Sequence, residues 1–396
     1  MDAAIQTKID SWLQGNYDQA TKDEITKALE ENPDDLLEAF YKNLEFGTGG
    51  LRGLMGVGTN KMNKYTVGMA TQGYANYLKQ SFDDEIRVAI AHDSRNNSRF
   101  FAETVSDVMA ANGIKVFLFE SLRPTPELSF TIRHLGCKGG VVCTASHNPK
   151  EYNGYKAYWV DGAQLVPPHD KNVIKEVEKI ASVDDVKWSG GAENITIIGD
   201  DVDAAYIAMV KGLSVYPEVC HKQHDLKIVY TSIHGSGIQL VPRVLNAFGF
   251  TNVTIVEEQR VPDGNFPTVV YPNPEESEAM SIGLAKAKEL DADILLGTDP
   301  DADRVGIAIK DDAGNWTLMN GNQTAVLAFN YVIEARKAKG VAQPNDMVIK
   351  TIVTTDMINR FAAANGVACY DVLTGFKWIS ELIREKEGKE NYVVGG

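Results

Sequence analysis

Ser146 and His147 stand side by side in "CTASHNPKEYNGYK" (residues 143–156), directly after the apolar run "GGVV". The run reads as a buried strand and Asn148-Pro149 as a turn, so the serine lies in a tight loop at the carboxyl end of a strand. Proteins of the α/β class place reacting groups there. Such a serine can attack an acyl group, cap a helix, or carry a transferred group. Acyl chemistry needs a Gly-x-Ser-x-Gly elbow or its equivalent, with the histidine elsewhere in the chain; here the flanks are Ala145 and His147. Capping suits Ser and Asn, but it leaves unexplained why an Asn-Gly turn and Lys156 follow so closely. Carriage of a phosphoryl group accounts for more, and a serine phosphate of charge about −2 needs a cation.

A place for that cation occurs in "ILLGTDPDADRVGIAI" (residues 294–309), where two apolar, strand-like runs flank Asp299, Asp301 and Asp303. At an effective dielectric near 20, each like-charge pair about 4 Å apart costs roughly 4 kcal/mol, so the cluster calls for a metal. Hard oxygen donors select magnesium or a similar ion. An EF-hand does not fit: counted from Asp299, its required glycine and glutamate positions hold Arg304 and Lys310. The plain alternative is a solvated acidic turn. Arg304, beside the trio, suits a phosphate or an oriented carboxylate.

Weaker signals accompany these two. "FGTGGLRG" (residues 46–53) combines four glycines with Arg52, a pattern that lets backbone amides and a guanidinium approach an anion, though a plain turn is nearly as good a reading. In "AHDSR", Asp93 and Arg95 pair with each other or cap a helix. His221 and His224 read as exposed and unbound, His234 as a loop histidine bonded to backbone, and His92 and His134 have no evident partners. Cys137, Cys143, Cys220 and Cys369 are scattered without a Cys-x-x-Cys pair, which fits buried thiols in a reducing compartment.

The elements that must position these groups follow a repeat. "IRVAIAHDSR", "LKIVYTSIHGSG" and "DMVIKTIVTTDM" each begin a strand and loop, followed by a helical stretch, a glycine turn and another strand. Such βαβ units favour mostly parallel sheets with helices packed on them. The expected fold is therefore α/β, with repeated three-layer domains and mixed, mostly parallel sheets. Expected boundaries are residues 1–205, 206–319 and 320–396, the third domain being incomplete. At the N-terminus, Ile5, Ile9, Trp12 and Leu13 share one helical face, and acidic and polar residues exclude a signal peptide. With 54 acidic against 39 basic side chains, net charge −15, nucleic acid and anionic membranes are excluded as partners. An anionic small substrate then requires a locally basic cleft. No stretch is apolar enough to span a bilayer, so a cytoplasmic location is expected; oligomeric state is not readable.

Taken together, "TASHNP", "TDPDADR", "FGTGGLRG" and "TGFK" (residues 374–377) resemble the α-D-phosphohexomutases, in the family's order, from about residue 40 to the end. "NPKEYNGYKAYWVDGAQLVPP" is similar to the bacterial phosphoglucomutase branch with its phosphopentomutase-like relatives. The resemblance implies domains arranged around a central cleft, with interconversion of hexose 1-phosphate and 6-phosphate, glucose foremost. The route would be a phosphoserine at Ser146 and a bisphosphorylated sugar, glucose 1,6-bisphosphate, as intermediate and activator. It further implies Mg2+ on Asp299, Asp301, Asp303 and the Ser146 phosphate, with Arg304 beside the phosphoserine. Arg52, His147 and Lys156 would line the cleft, Lys156 as candidate for proton transfer. Thr374, Gly375 and Lys377 would contact the sugar phosphate. The "GEES"-type loop and the fourth domain of the family are absent from the sequence, so the chain by itself is expected to be inactive or weakly active. Rival readings are a phosphomannomutase or phosphopentomutase, an aspartyl-phosphate phosphatase with Asp299 as nucleophile, and a non-catalytic sugar-phosphate-binding fragment.

Overall fold

The computed structural model describes residues 2–47 and 49–396. The chain divides into two compact units, Met1–Asp200 with Asp263–Asn265, and Asp201–Pro262 with Phe266–Gly396.

The first unit opens with helices α1 (Ala3–Gln14), α2 (Gln19–Glu31) and α3 (Pro33–Phe40). Asp18 starts α2 by accepting from the Thr21 N–H at 2.8 Å, satisfying one of the amides a helix start leaves open. Ile9 and Trp12 of α1 are buried as their spacing predicts, in an apolar cluster with Ile25, Leu36, Phe40 and Tyr65. Next come β1 (Gly50–Leu54), α4 (Lys64–Ser81), β2 (Arg87–His92), α5 (Ser98–Ala111), β3 (Lys115–Phe119), α6 (Thr125–His134), β4 (Gly139–Cys143), β5 (Tyr152–Trp159), α7 (His169–Glu178) and β6 (Ile195–Ile198). Their sheet runs β1-β5-β4-β2-β3-β6, with β4, β2, β3 and β6 parallel and β5 and β1 antiparallel at one side. All five residues of β4 are buried, because helices cover both faces of a parallel sheet. Burying the side chains of Val141 and Val142 there contributes roughly 1.5–3 kcal/mol each.

The second unit carries α8 (Asp200–Gly212), α9 (Pro217–Lys222), β7 (Ile228–Thr231), α10 (Val241–Phe248), β8 (Val253–Ile255), α11 (Ser281–Glu289), β9 (Ile294–Thr298), β10 (Val305–Lys310) and β11 (Trp316–Met319). After these follow α12 (Gly321–Ala338), β12 (Asp346–Thr351), α13 (Met357–Ala364), β13 (Ala368–Val372), α14 (Phe376–Lys386) and β14 (Asn391–Gly395). One sheet runs β11-β10-β9-β7-β8, the other β13-β12-β14. In the former, β9, β7 and β8 are parallel while β10 and β11 are antiparallel; the latter is parallel throughout.

The three sequence repeats become β2-α5-β3, β7-α10-β8 and β12-α13-β13. Strand order makes the equivalence deeper. In the first unit β3-β2-β4-β5-β1 lie side by side, and in the second β8-β7-β9-β10-β11. The β4–β5 connection, which carries Ser146, therefore occupies the same topological place as the β9–β10 connection, which carries the aspartates. The loops after β2 and β7 are likewise equivalent.

Candidate active site

In the first unit β2 and β4 are parallel with His92 opposite Cys143, so their carboxyl ends are level and the loops leaving them meet. Ser146 is 5% exposed and adopts φ +52, a left-handed backbone that few non-glycine residues enter. Its N–H donates to Thr144 Oγ1 at 2.8 Å, and the Thr144 hydroxyl donates to Asp93 Oδ2 at 2.7 Å. Asp93 also accepts from Ser98 Oγ at 2.7 Å and from the Arg95 N–H at 2.9 Å.

The expected Asp93–Arg95 pair forms, Nε to Oδ2 at 3.4 Å with both side chains buried. It also does something the sequence did not signal. Arg95 Nη2 donates to the Ser146 carbonyl at 2.6 Å and to the Asn148 carbonyl, while Nη1 donates to Pro149 O at 2.8 Å and Tyr152 O at 3.1 Å. A single fork of donors thus holds the whole serine loop. Gly154 of β5 is the second unsignalled part: a Cβ there would lie 2.4 Å from the Thr144 carbonyl, so β5 reaches the loop only without a side chain.

His147 Nδ1 lies 3.2 Å from Ser146 Oγ. Arg52 faces Gly154 across β1–β5, and Lys156 faces Gly50 of β1 and Val142 of β4. Alternation along a strand puts Arg52 and Lys156 on one face of the sheet as diagonal neighbours. Arg52 Nη1 reaches Asn148 Oδ1 at 3.5 Å. Ser146, His147, Arg52 and Lys156 thus belong to one neighbourhood; Thr48 of the glycine-rich stretch lies outside the described residues.

In the second unit the aspartate loop joins β9 to β10. Asp299 and Asp301 are fully buried and Asp303 is exposed. One carboxylate oxygen from each lies within 4.8 Å of the others. Two buried carboxyls exclude the solvated acidic turn. The Arg304 N–H donates to Asp299 Oδ1 at 3.0 Å, and the Arg304 side chain lies 4.0 Å from Glu275 Oε2. Burial pushes the Asp299 carboxyl well above the ordinary range, with the charges of Asp301 and Asp303 adding to the effect. An all-oxygen trio with an unfavourable mutual charge suits a hard divalent ion.

The loop after β7 supports this one. Ser236 donates to the Pro300 carbonyl from both its N–H and its Oγ, each at 2.8 Å. A Cβ on Gly235 would come within 2.5 Å of Pro300 Cα. His234 is bonded to the Val261 carbonyl and to Thr268 Oγ1, both at 3.0 Å, as a structural loop histidine.

Thr374 and Gly375 lie between β13 and α14 and Lys377 in the first turn of α14, after a strand equivalent to β3 and β8 rather than to β4 and β9. Thr374 is exposed, Gly375 has φ +117, and Lys377 Nζ sits 4.8 Å from the Trp378 ring centre. The lesser expectations fare unevenly. His221 and His224 are exposed, while His134 stacks on Phe130. His92 is buried with Nδ1 2.8 Å from the Asp93 carbonyl, and burial pushes its pKa down to about 4. Cys137 and Cys143 are buried, but Cys220 and Cys369 are only half-buried, because they sit on a short surface helix and an edge strand; all four are free. No described helix is long and apolar enough to cross a membrane.

The sequence matches the phosphoglucomutase/phosphomannomutase alpha/beta/alpha domain I over residues 43–184, domain II over 204–314 and domain III over 320–396. It is 36% identical over 363 residues to a Staphylococcus epidermidis phosphoglucomutase, covering 90% of this chain and 65% of that protein. It is 33% identical over 401 residues to the human phosphopentomutase, covering 97% of this chain and again 65% of the relative. The chain spans about two thirds of the length of the curated relatives it matches. Among solved structures, a phosphomannomutase-like protein of Thermus thermophilus superposes with TM-score 0.74 at 26% identity, covering 90% of this chain and 74% of that one. The chain is a member of the phosphoglucomutase/phosphomannomutase family.

Proposed function

We propose that the protein is a phosphosugar mutase that interconverts a hexose 1-phosphate and the 6-phosphate, with glucose as the hexose. Ser146 carries the phosphoryl group and glucose 1,6-bisphosphate is the intermediate and activator. The observation that supports this best is the pair of equivalent loops: one locks a serine, the other gathers three carboxylates. We assign residues 1–205 to the phosphoserine domain, 206–319 to the metal domain and 320–396 to the sugar-binding domain.

Asp299, Asp301 and Asp303 are the residues that would hold magnesium, which when bound supplies Lewis-acid neutralisation of phosphoryl charge. In the forward step a sugar hydroxyl oxygen forms a bond to phosphorus as the Ser146 Oγ–P bond breaks, giving bisphosphorylated sugar and free serine. The proton of that hydroxyl passes to a base, for which Lys156 is the candidate. His147, beside Ser146 Oγ, is placed to return a proton to the departing serine oxygen. The intermediate then offers its other phosphate to Ser146. Arg52, Lys156 and Arg304 supply positive charge toward a dianion in a chain of net charge −15. Thr374, Gly375 and Lys377 would contact the non-reacting phosphate. The partner is a small phosphosugar, and the location cytoplasmic.

Similarity to the human phosphopentomutase over 97% of this chain favours a pentose 1-phosphate as second substrate class. Turnover measured on the full-length protein with Mg2+ and a trace of glucose 1,6-bisphosphate tests the proposal. Glucose 1-phosphate is expected to exceed mannose and ribose 1-phosphates in kcat/KM. No turnover of any of them, with no phosphate on Ser146, would overturn it.

A further inference from the structure

Arg95 is 3% exposed, and its partner Asp93 is 1% exposed. A buried ion pair is a weak source of stability by itself, since desolvation offsets the attraction. What this pair does achieve is geometric. The guanidinium gathers the carbonyls of Ser146, Asn148, Pro149 and Tyr152. Asp93, through Thr144, fixes the Ser146 N–H from the other side. Ser146 is thereby held at both its N–H and its carbonyl, in a left-handed conformation that few non-glycine residues enter. The Asp93 carboxylate balances the guanidinium charge, and the two terminal nitrogens donate to carbonyl oxygens.

We propose that Arg95, seated on Asp93, is a positioning residue for phosphoryl transfer rather than a phosphate ligand, holding the Ser146 hydroxyl in the one orientation from which it accepts and returns the phosphoryl group. This rests on the phosphoserine reading above. A phosphate ligand would tolerate lysine, which keeps the charge; a clamp on four carbonyls would not, because an ammonium lacks the planar fork.

The test is single-turnover phosphorylation of Ser146 by glucose 1,6-bisphosphate with Mg2+, followed by intact mass, on the full-length protein. Arg95→Lys is expected to slow the step about a hundredfold, as small misplacements of a reacting group do, with the half-saturating bisphosphate concentration unchanged. Thr144→Val, nearly isosteric, removes only the hydroxyl link and is expected to slow it about tenfold; Thr144→Ser restores most of the rate. If Arg95→Lys fails to fold, Thr144→Val decides. Wild-type rates in these variants, or a loss confined to half-saturation, would overturn the positioning role. A wild-type protein that takes no phosphate on Ser146 overturns the phosphoserine reading, and this inference with it.

Discussion

The serine loop and the aspartate loop occupy the same place in two like-ordered sheets, yet they are held by opposite means. The loop after β2 braces the serine loop with a buried charge pair, Asp93 and Arg95, whose hydrogen bonds run to backbone carbonyls and the Thr144 hydroxyl. The loop after β7 braces the aspartate loop with neutral groups, Ser236 and the bare backbone of Gly235, and leaves three carboxylates facing one another. One half is electrostatically complete as the chain folds; on the proposed function the other is complete only with a cation. On the proposed function, a repeated fold places a group carrier and a metal holder by varying which charges close the same pair of loops.

The largest expected effect comes from attacking the incomplete half. Asp301→Asn removes one buried negative donor, and both Mg2+ binding by calorimetry and Ser146 phosphorylation should fall, the latter by about a thousandfold. Wild-type Mg2+ affinity in this variant would show that the trio is not the metal site.

Gly154→Ala attacks the complete half from β5. The new Cβ would fall 2.4 Å from the Thr144 carbonyl, forcing the loop or strand to move. Phosphorylation of Ser146 should fall about a hundredfold, with a stability loss of about 1–3 kcal/mol in denaturant titration. The matching change in the other half, Gly235→Ala, presses on Pro300 from behind the ligands. It should weaken Mg2+ about tenfold, as changes behind a metal site do, while leaving the serine loop intact.

These contrasts also mark what was legible in the sequence. "TASHNP" and "TDPDADR" announce themselves because the chemistry lies in adjacent side chains between apolar runs, and the βαβ rhythm gives the parallel strands. Arg95 stood in plain view in "AHDSR", but its acceptors are backbone carbonyls of residues 146–152, and a carbonyl leaves no trace in the residue type. Gly154 and Gly235 matter through close approach of backbone, which a glycine in a turn-rich stretch does not distinguish from ordinary looping. In the "SIHGSG" segment the histidine is the conspicuous residue, whereas Ser236 and Gly235 do the supporting. The half-buried Cys220 and Cys369 depart from the expected buried thiols because composition says nothing about where an edge lies.

At neutral pH the smallest expected effect belongs to His92 in the charge-paired half, whose response appears only on acidification. The folded-state pKa of His92 is depressed by burial from 6.5 to about 4, so the stability it contributes is present above pH 6.5 and is lost as pH falls toward 4. The full loss amounts to about 3 kcal/mol at 1.36 kcal/mol per unit. His92→Asn, which can still donate to the Asp93 carbonyl, should flatten that acid slope in chemical denaturation and change little at pH 7.

On the proposed function Ser146 carries the phosphoryl group while the aspartates hold the cation. Peptide mass spectrometry of the protein after exposure to glucose 1,6-bisphosphate and Mg2+ tests it most directly. One phosphoryl group should appear on the peptide containing Ser146, stable in acid, lost in alkali and absent in Asp301→Asn. A hydroxylamine-sensitive phosphate on the peptide containing Asp299, with Ser146 unmodified, would contradict the phosphoserine assignment and point to an aspartyl-phosphate enzyme instead.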